Sequence, residues 1–223
     1  MAYADVMAAI AANDEEAALA AIAGVDAAGE AHPVDSPVLQ ALYRGMERVP
    51  EALRLRGYQF DLCEAAAAGN TAVLGLLIDW DRPEDMESAR SPDGWTPLHL
   101  AAFMGRSEAA SILLTGPRRE LLDALSRNPM QNQPLHAAIA GRSDPATIAI
   151  LIEAGADVNT AAGGGYTPLH LAASRGNGAL CDTLVAKGAD AAAVSADGKT
   201  AADVAHERGH ASLSERLRRL LNP

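Results

Sequence analysis

One seven-residue string constrains this chain more than anything else in it. Thr96-Pro97-Leu98-His99-Leu100-Ala101-Ala102 returns as Thr167-Pro168-Leu169-His170-Leu171-Ala172-Ala173 and, degraded, as Gln133-Pro134-Leu135-His136-Ala137-Ala138. Aligned on the threonine, Ser36-Pro37 and Thr200-Ala201-Ala202-Asp203 join the series, and weaker copies begin at Tyr3 and Phe60. The starts at 3, 36, 60, 96, 133, 167 and 200 are separated by 33, 24, 36, 37, 34 and 33 residues. A period of this size marks stacked supersecondary units, none of which can bury its apolar face alone.

Each unit reads as helix, turn, helix. Thr or Ser before Pro supplies an N-cap with proline at the first helical position. A short apolar helix follows, and nine residues after the start a glycine ends it in five copies: Gly45, Gly69, Gly105, Gly176 and Gly209. In the fifth copy Gly141 comes one residue early, and in the first Ala12 stands at the position. A second helix shows apolar residues at helical spacing, as in Ile148, Leu151 and Ile152 or Val73, Leu76 and Leu77. It closes at Gly155-Ala156-Asp157-Val158-Asn159 or Gly188-Ala189-Asp190. Alanine is about a fifth of the chain and aromatics only 4%. The pairs Ala101/Ala102 and Ala172/Ala173 let neighbouring helices approach closely, which a core rich in bulky aromatics would prevent.

This order of TPLHLAA, helix, glycine, helix and GADVN resembles the ankyrin-repeat family over nearly the whole chain. The resemblance implies an all-α solenoid of about seven stacked helix-turn-helix pairs with short β-hairpin loops. The repeats then fall near 1–33, 34–57, 58–90, 91–128, 129–162, 163–195 and 196–223, one domain with its first and last repeats as caps. Two departures stand out. The 24-residue interval leaves no room for a hairpin, so Arg56-Gly57-Tyr58 links two helices almost directly. Insertions at 81–87 and 117–122 lengthen the next two connections, the second by an extra helical turn.

The formal charge is −11, which argues against a nucleic-acid binder. Seven acids and no Lys or Arg occupy residues 1–35, and Asp79, Asp81, Glu84, Asp85, Glu87 and Asp93 add a second acidic cluster. This polarity suits a partner with a basic surface. No stretch reaches the roughly 18 apolar residues of a membrane span, and MAYADVMAAIAANDEE lacks the basic start of a secretory signal. Cys63 and Cys181 sit in apolar helical patterns and read as core residues. A cytoplasmic monomer is expected, and the alanine bias with sixteen arginines against two lysines points to a GC-rich bacterial genome.

Two motifs invite chemistry. His206-Glu207-Arg208-Gly209-His210 matches the HExxH of zinc hydrolases, which needs both imidazoles one turn apart on a continuous helix. In the repeat register Gly209 ends one helix and His210 opens the next, so the rings diverge. Asp197-Gly198-Lys199-Thr200 resembles a phosphate loop but has Ala193 where its first glycine belongs. No catalytic residue, cofactor or metal is therefore assigned. His99, His136 and His170 share one register position, where the family's histidine hydrogen-bonds within and between hairpins.

The resemblance implies a non-catalytic protein-interaction module, with contacts from hairpin tips and from the residues before the helix-ending glycine. Here these are Tyr43, Arg44, Trp95, Phe103, Met104, Gln131, Asn132, Tyr166, Ser174, Arg175, Lys199, Glu207 and Arg208. Four of the eight aromatics fall at these positions, and Trp, Tyr and Arg dominate interface hot spots. An antitoxin-like or effector-type inhibitor on the same scaffold is the other binding reading.

Overall fold

The computed structural model describes residues 2–25, 27–28, 35–78, 89–115, 119–142 and 144–221. Among them are fifteen α-helices, fourteen arranged as seven consecutive pairs. The pairs are α1 (Ala2–Ala11) with α2 (Glu15–Ala23), α3 (Pro37–Tyr43) with α4 (Val49–Leu55), and α5 (Leu62–Ala68) with α6 (Thr71–Leu77). Next come α7 (Pro97–Phe103) with α8 (Ser107–Leu113); then a single short helix, α9 (Arg119–Asp123), precedes α10 (Pro134–Ala140) with α11 (Pro145–Glu153). The last are α12 (Pro168–Ser174) with α13 (Gly178–Ala186) and α14 (Ala201–Glu207) with α15 (Ala211–Leu221). The first helices of successive pairs touch in an unbroken row from α1 to α14, which makes the chain a solenoid.

Local chemistry sets these helices. The side chains of Ser36, Asp61, Thr96 and Thr200 accept the backbone N–H three residues on. In α7 everything from Pro97 to Ala102 is buried, so leucines and alanines carry the contacts between pairs. The third repeat begins one residue later than the pattern places it: Asp61, not Phe60, is the cap, paired with Glu64 in a reciprocal box. Phe60 has no side-chain acceptor and packs instead beside Tyr58, ring centroids 6.1 Å apart. In the first repeat the left-handed turn belongs to Asn13 (φ 59°) rather than Ala12, because Asn tolerates that conformation where Ala does not.

The expected β-hairpins are reduced to turns. Among the described residues there is no strand, only one isolated bridge between Val194 and Thr200. What survives is a repeated closing bond: Ser91 N–H to Trp95 O, Ser126 to Asn132, Ala162 to Tyr166 and Ser195 to Lys199, each 2.9 Å. Tip bonds tie each turn to the next, from Arg127 N–H to Gly94 O (2.8 Å), Gly163 to Met130 (2.6 Å) and Ala196 to Gly164 (2.9 Å). The short link at Arg56-Gly57 is present, with Ala27 N–H bonded to Arg56 O at 2.9 Å. Helix α9 supplies the extra turn expected after Pro117. The insertion at 81–87 and the acids Asp79 to Glu87 lie outside the described residues.

Candidate functional site

From the second pair on, the first helix of each pair buries most of itself and leaves its last residue at the surface. Along the stack these residues are Tyr43, Ala68, Phe103, Ala140, Ser174 and Glu207, half-buried except for the exposed Glu207. Their sizes shape one face of the solenoid. Because Ala68 is small, Tyr43 and Phe103 meet across it edge to face, centroids 6.2 Å apart. Trp95 stacks on the other side of Phe103 at 4.9 Å, and the Tyr43 hydroxyl donates to Asp93 at 2.8 Å. Burial first, then the Asp93 carboxylate, pushes the Tyr43 phenol far above its usual range. Trp95 and Phe103 are thus neither free nor fully buried; they form an aromatic ridge.

Further along, Ala140 and Ser174 leave space. A cavity of about 230 Å³ opens between α10, α12 and α14, lined among others by Met130, Asn132, His136, Tyr166, Leu171, Ser174, Val204, Glu207 and Arg208. It gathers five of the residues expected from sequence, Asn132, Tyr166, Ser174, Glu207 and Arg208. Met130, His136, Leu171 and Val204 were not anticipated. Met130, 55% exposed at a turn tip, was detectable as an apolar residue beside Gln131; Leu171 and Val204 sit on helix faces that periodicity assigns wholly to the core.

Burial and pairing divide Asn132 and the expected positions outside the cavity. Met104 (2% exposed) and Asn132 (3%) are buried and present no free side chain on the outer surface. Met104 points into the core between pairs, and Asn132 is held because its carbonyl accepts from His99 Nε2 at 2.8 Å. Arg44 is exposed but tied to Gln40 of its own helix. Arg175 donates to the carbonyls of Ala140 and Gly141 at 2.8 and 2.9 Å. Lys199 is paired with Glu207 at 2.8 Å. Gln131 is exposed with a left-handed backbone, φ 42°.

The register histidines are structural. Thr96 Oγ1 lies 2.7 Å from His99 Nδ1, and Thr167 Oγ1 lies 2.8 Å from His170 Nδ1. Their Nε2 atoms reach carbonyls of the next turn, Asn132 and Lys199. Burial pushes His99 down to about 4, so it is a neutral strut at pH 7.

The HExxH reading fails on geometry. Helix α14 stops at Glu207, Gly209 turns left-handed at φ 84°, and His210 Nε2 lies 3.3 Å from Ser174 O. His206 is exposed on the preceding helix. No group of three His, Cys, Asp or Glu able to hold a metal exists among the described residues. The phosphate-loop reading also dissolves, since Gly198 makes a turn at φ 75° and Thr200 caps α14. A larger recess of about 460 Å³ lies beside α15. Its Arg216 is already bonded to Gly178 O at 2.9 Å and near Asp182 at 3.4 Å, a solvated charged face.

A row of helix pairs joined by turn-to-turn bonds, with one face lined by helix ends, defines a repeat scaffold of the solenoid class. Two family models match it: "Ankyrin repeats (3 copies)" over residues 62–162 and "Ankyrin repeats (many copies)" over 151–205. The chain belongs to the ankyrin-repeat family. It is 28% identical over 113 residues to the nuclear factor NF-kappa-B p105 subunit of Gallus gallus, covering 50% of this chain and 11% of that protein. It is 33% identical over 118 residues to ankyrin repeat domain-containing protein 53 of Homo sapiens, covering 50% of this chain and 21% of that one. The matched segment is thus a small part of each relative's length. Among the described residues no helix is long and apolar enough to cross a membrane.

Proposed function

We propose that this chain is a non-catalytic binding module that holds a protein partner along the face made by the inner-helix ends and turn tips. The family's use as an interaction scaffold supports the general reading. The observation that carries the specific one is the cavity between α10, α12 and α14, flanked by the Tyr43–Phe103–Trp95 ridge on the same row of helix ends. Two buried free thiols, Cys63 and Cys181, fit a reducing compartment, and a bacterial cytoplasm is proposed on that and on composition. An inhibitor of the antitoxin or effector type would use the same face.

The acid-rich N-terminal segment supports a basic contact of the partner at that end, whereas the cavity mouth carries the cation Arg208. The test is capture of partners from the native organism by the full chain, compared with a Tyr166→Ala/Arg208→Glu variant. An outer-helix control is Leu76→Ala, a residue 86% exposed. Capture should fall at least tenfold for the groove variant and stay constant for the control, with melting temperatures alike. Equal capture by all three proteins would remove this face from consideration.

A further inference from the structure

Six of the sixteen arginines stand in the turns between the two helices of a pair: Arg44, Arg48, Arg106, Arg142, Arg175 and Arg208. The acids of these turns are Asp14, Glu47 and Asp144, and Asp14 and Asp144 are engaged as the caps of α2 and α11. Stacking sets the turns in one row along the solenoid, and side chains cross from turn to turn. Arg106 and Arg142 both reach Glu47, and Arg48 reaches Glu16. The other three have no carboxylate partner among the described residues. Arg44 donates to Gln40, Arg175 donates to the carbonyls of Ala140 and Gly141, and Arg208 is exposed. In a chain of formal charge −11, this edge is a local excess of positive charge.

Two of those three cations flank the cavity between α10, α12 and α14. Arg208 lines it, and Arg175 is bonded to the carbonyl of Ala140, which also lines it. The Glu207 carboxylate at the same mouth is held by Lys199 at 2.8 Å, so it does not cancel Arg208. The cavity walls carry apolar surface that the fold leaves uncovered: Met130 is 55% exposed, and Tyr166 and Leu171 are half-buried. Its volume of about 230 Å³ falls below the roughly 300–1,000 Å³ of drug-sized ligand sites, which suits one large side chain.

We propose that the C-terminal half of this face binds an acidic, extended segment of a protein partner, one large apolar side chain filling the cavity and carboxylates on either side of it meeting Arg175 and Arg208. This rests on the reading of the helix-end face as the binding surface. Packed helices lie roughly 8–10 Å apart axis to axis, which sets the spacing of the ends of α12 and α14. An extended chain rises about 3.3 Å per residue and turns every second side chain to one face. Acids two residues before and two after the apolar one therefore span about 13 Å on a single face, a gap that two long arginine side chains close. Phenylalanine matches the walls best, since Met130 and Tyr166 offer sulfur–aromatic and ring-edge contacts. A phosphate polymer would follow the arginines but leave the apolar cavity empty, so the pairing of the two features favours a protein segment.

The test is an NMR titration of the full chain with capped peptides in a Gly/Ser frame. The first carries glutamate, phenylalanine and glutamate at alternate positions; a second replaces both glutamates by glutamine, and a third replaces the phenylalanine by serine. The first peptide should move the Met130 and Leu171 methyl signals and bind at least tenfold more tightly than either of the others. Its advantage over the glutamine peptide should shrink as salt is raised. Arg208→Gln should reduce that advantage, Arg208→Lys should restore part of it, and Arg44→Gln, at the far end of the same row, should leave it unchanged. A glutamine peptide that binds equally well, or Met130 and Leu171 signals that no peptide moves, overturns the proposal. So does a serine peptide of equal affinity, because charge alone would then be read, as at a polyanion site. An Arg44→Gln loss equal to that of Arg208→Gln also overturns it, because the attraction would belong to the whole edge. If Tyr166→Ala/Arg208→Glu still loses captured partners in any of these cases, the acidic-segment assignment falls alone; if it does not, the binding face falls with it.

Discussion

Two buried titratable residues at one register position answer acid in opposite senses. His99 ionises near 4 when folded because burial disfavours its charge, against 6.5 when unfolded. Between those values the unfolded chain binds more protons, so stability present above about 6.5 is lost as pH falls toward 4, by about 3 kcal/mol. Denaturant titrations from pH 7 to 4 should show this slope shrink in His99→Gln; an unchanged slope would place the acid sensitivity elsewhere. Glu64 occupies the histidine's place in the third repeat and is 1% exposed. It accepts from Ser36 Oγ at 2.5 Å, the Tyr58 hydroxyl at 2.7 Å and Asp61 N–H at 3.0 Å. Burial raises its pKa against the pull of those donors. The folded protein then holds the proton longer than the unfolded chain, so this contribution is complete below the usual glutamate range and lost as pH rises through the folded value. Glu64→Gln should remove that loss, seen as a flatter stability curve above pH 5.

At the scale of the element, two glycines that look alike in the repeat pattern differ in kind. Gly45 takes φ 78° and has nothing within 4 Å of an added Cβ, so Gly45→Ala should cost only the left-handed penalty, about 1–2 kcal/mol. Gly141 has φ −84°, but a Cβ there would lie 2.1 Å from Phe103 O, a backbone atom. Gly141→Ala should cost more than Gly45→Ala in urea unfolding, and the reverse order would mean that the two pairs are not pressed together at this turn. The sequence places Gly141 only as a register slip of one residue. Its real constraint, the approach of α7 to the next turn and the bond from Arg142 N–H to Phe103 O at 3.0 Å, belongs to packing. The same limit explains the misplaced third start, where a buried Phe60 and a capping Asp61 are adjacent and pattern alone does not choose between them. It explains Met104 too: the variable position before the glycine turns inward in that repeat.

Across the whole molecule, Glu47 in the second pair bonds both Arg106 and Arg142, from the turns of the fourth and fifth pairs. The third pair between them is thin on this side because α5 carries Ala65 through Ala68. Burial works against the Glu47 charge, but the two guanidiniums outweigh it and hold the carboxylate below its usual range. The pairs are partly exposed, so Glu47→Gln should cost no more than about 1 kcal/mol. That loss should shrink in 1 M salt. A salt-independent loss would mean packing, not charge, joins these turns. Period, caps and helix-ending glycines were written in the sequence, because they follow from backbone preferences that act within a few residues. So was the family, and with it the expectation of a binding face. Which side chains reach that face was decided by tertiary structure. The Tyr43–Phe103 ridge and the cavity beyond it depend on which helix ends are large or small in neighbouring repeats, and on how the turns between them pack.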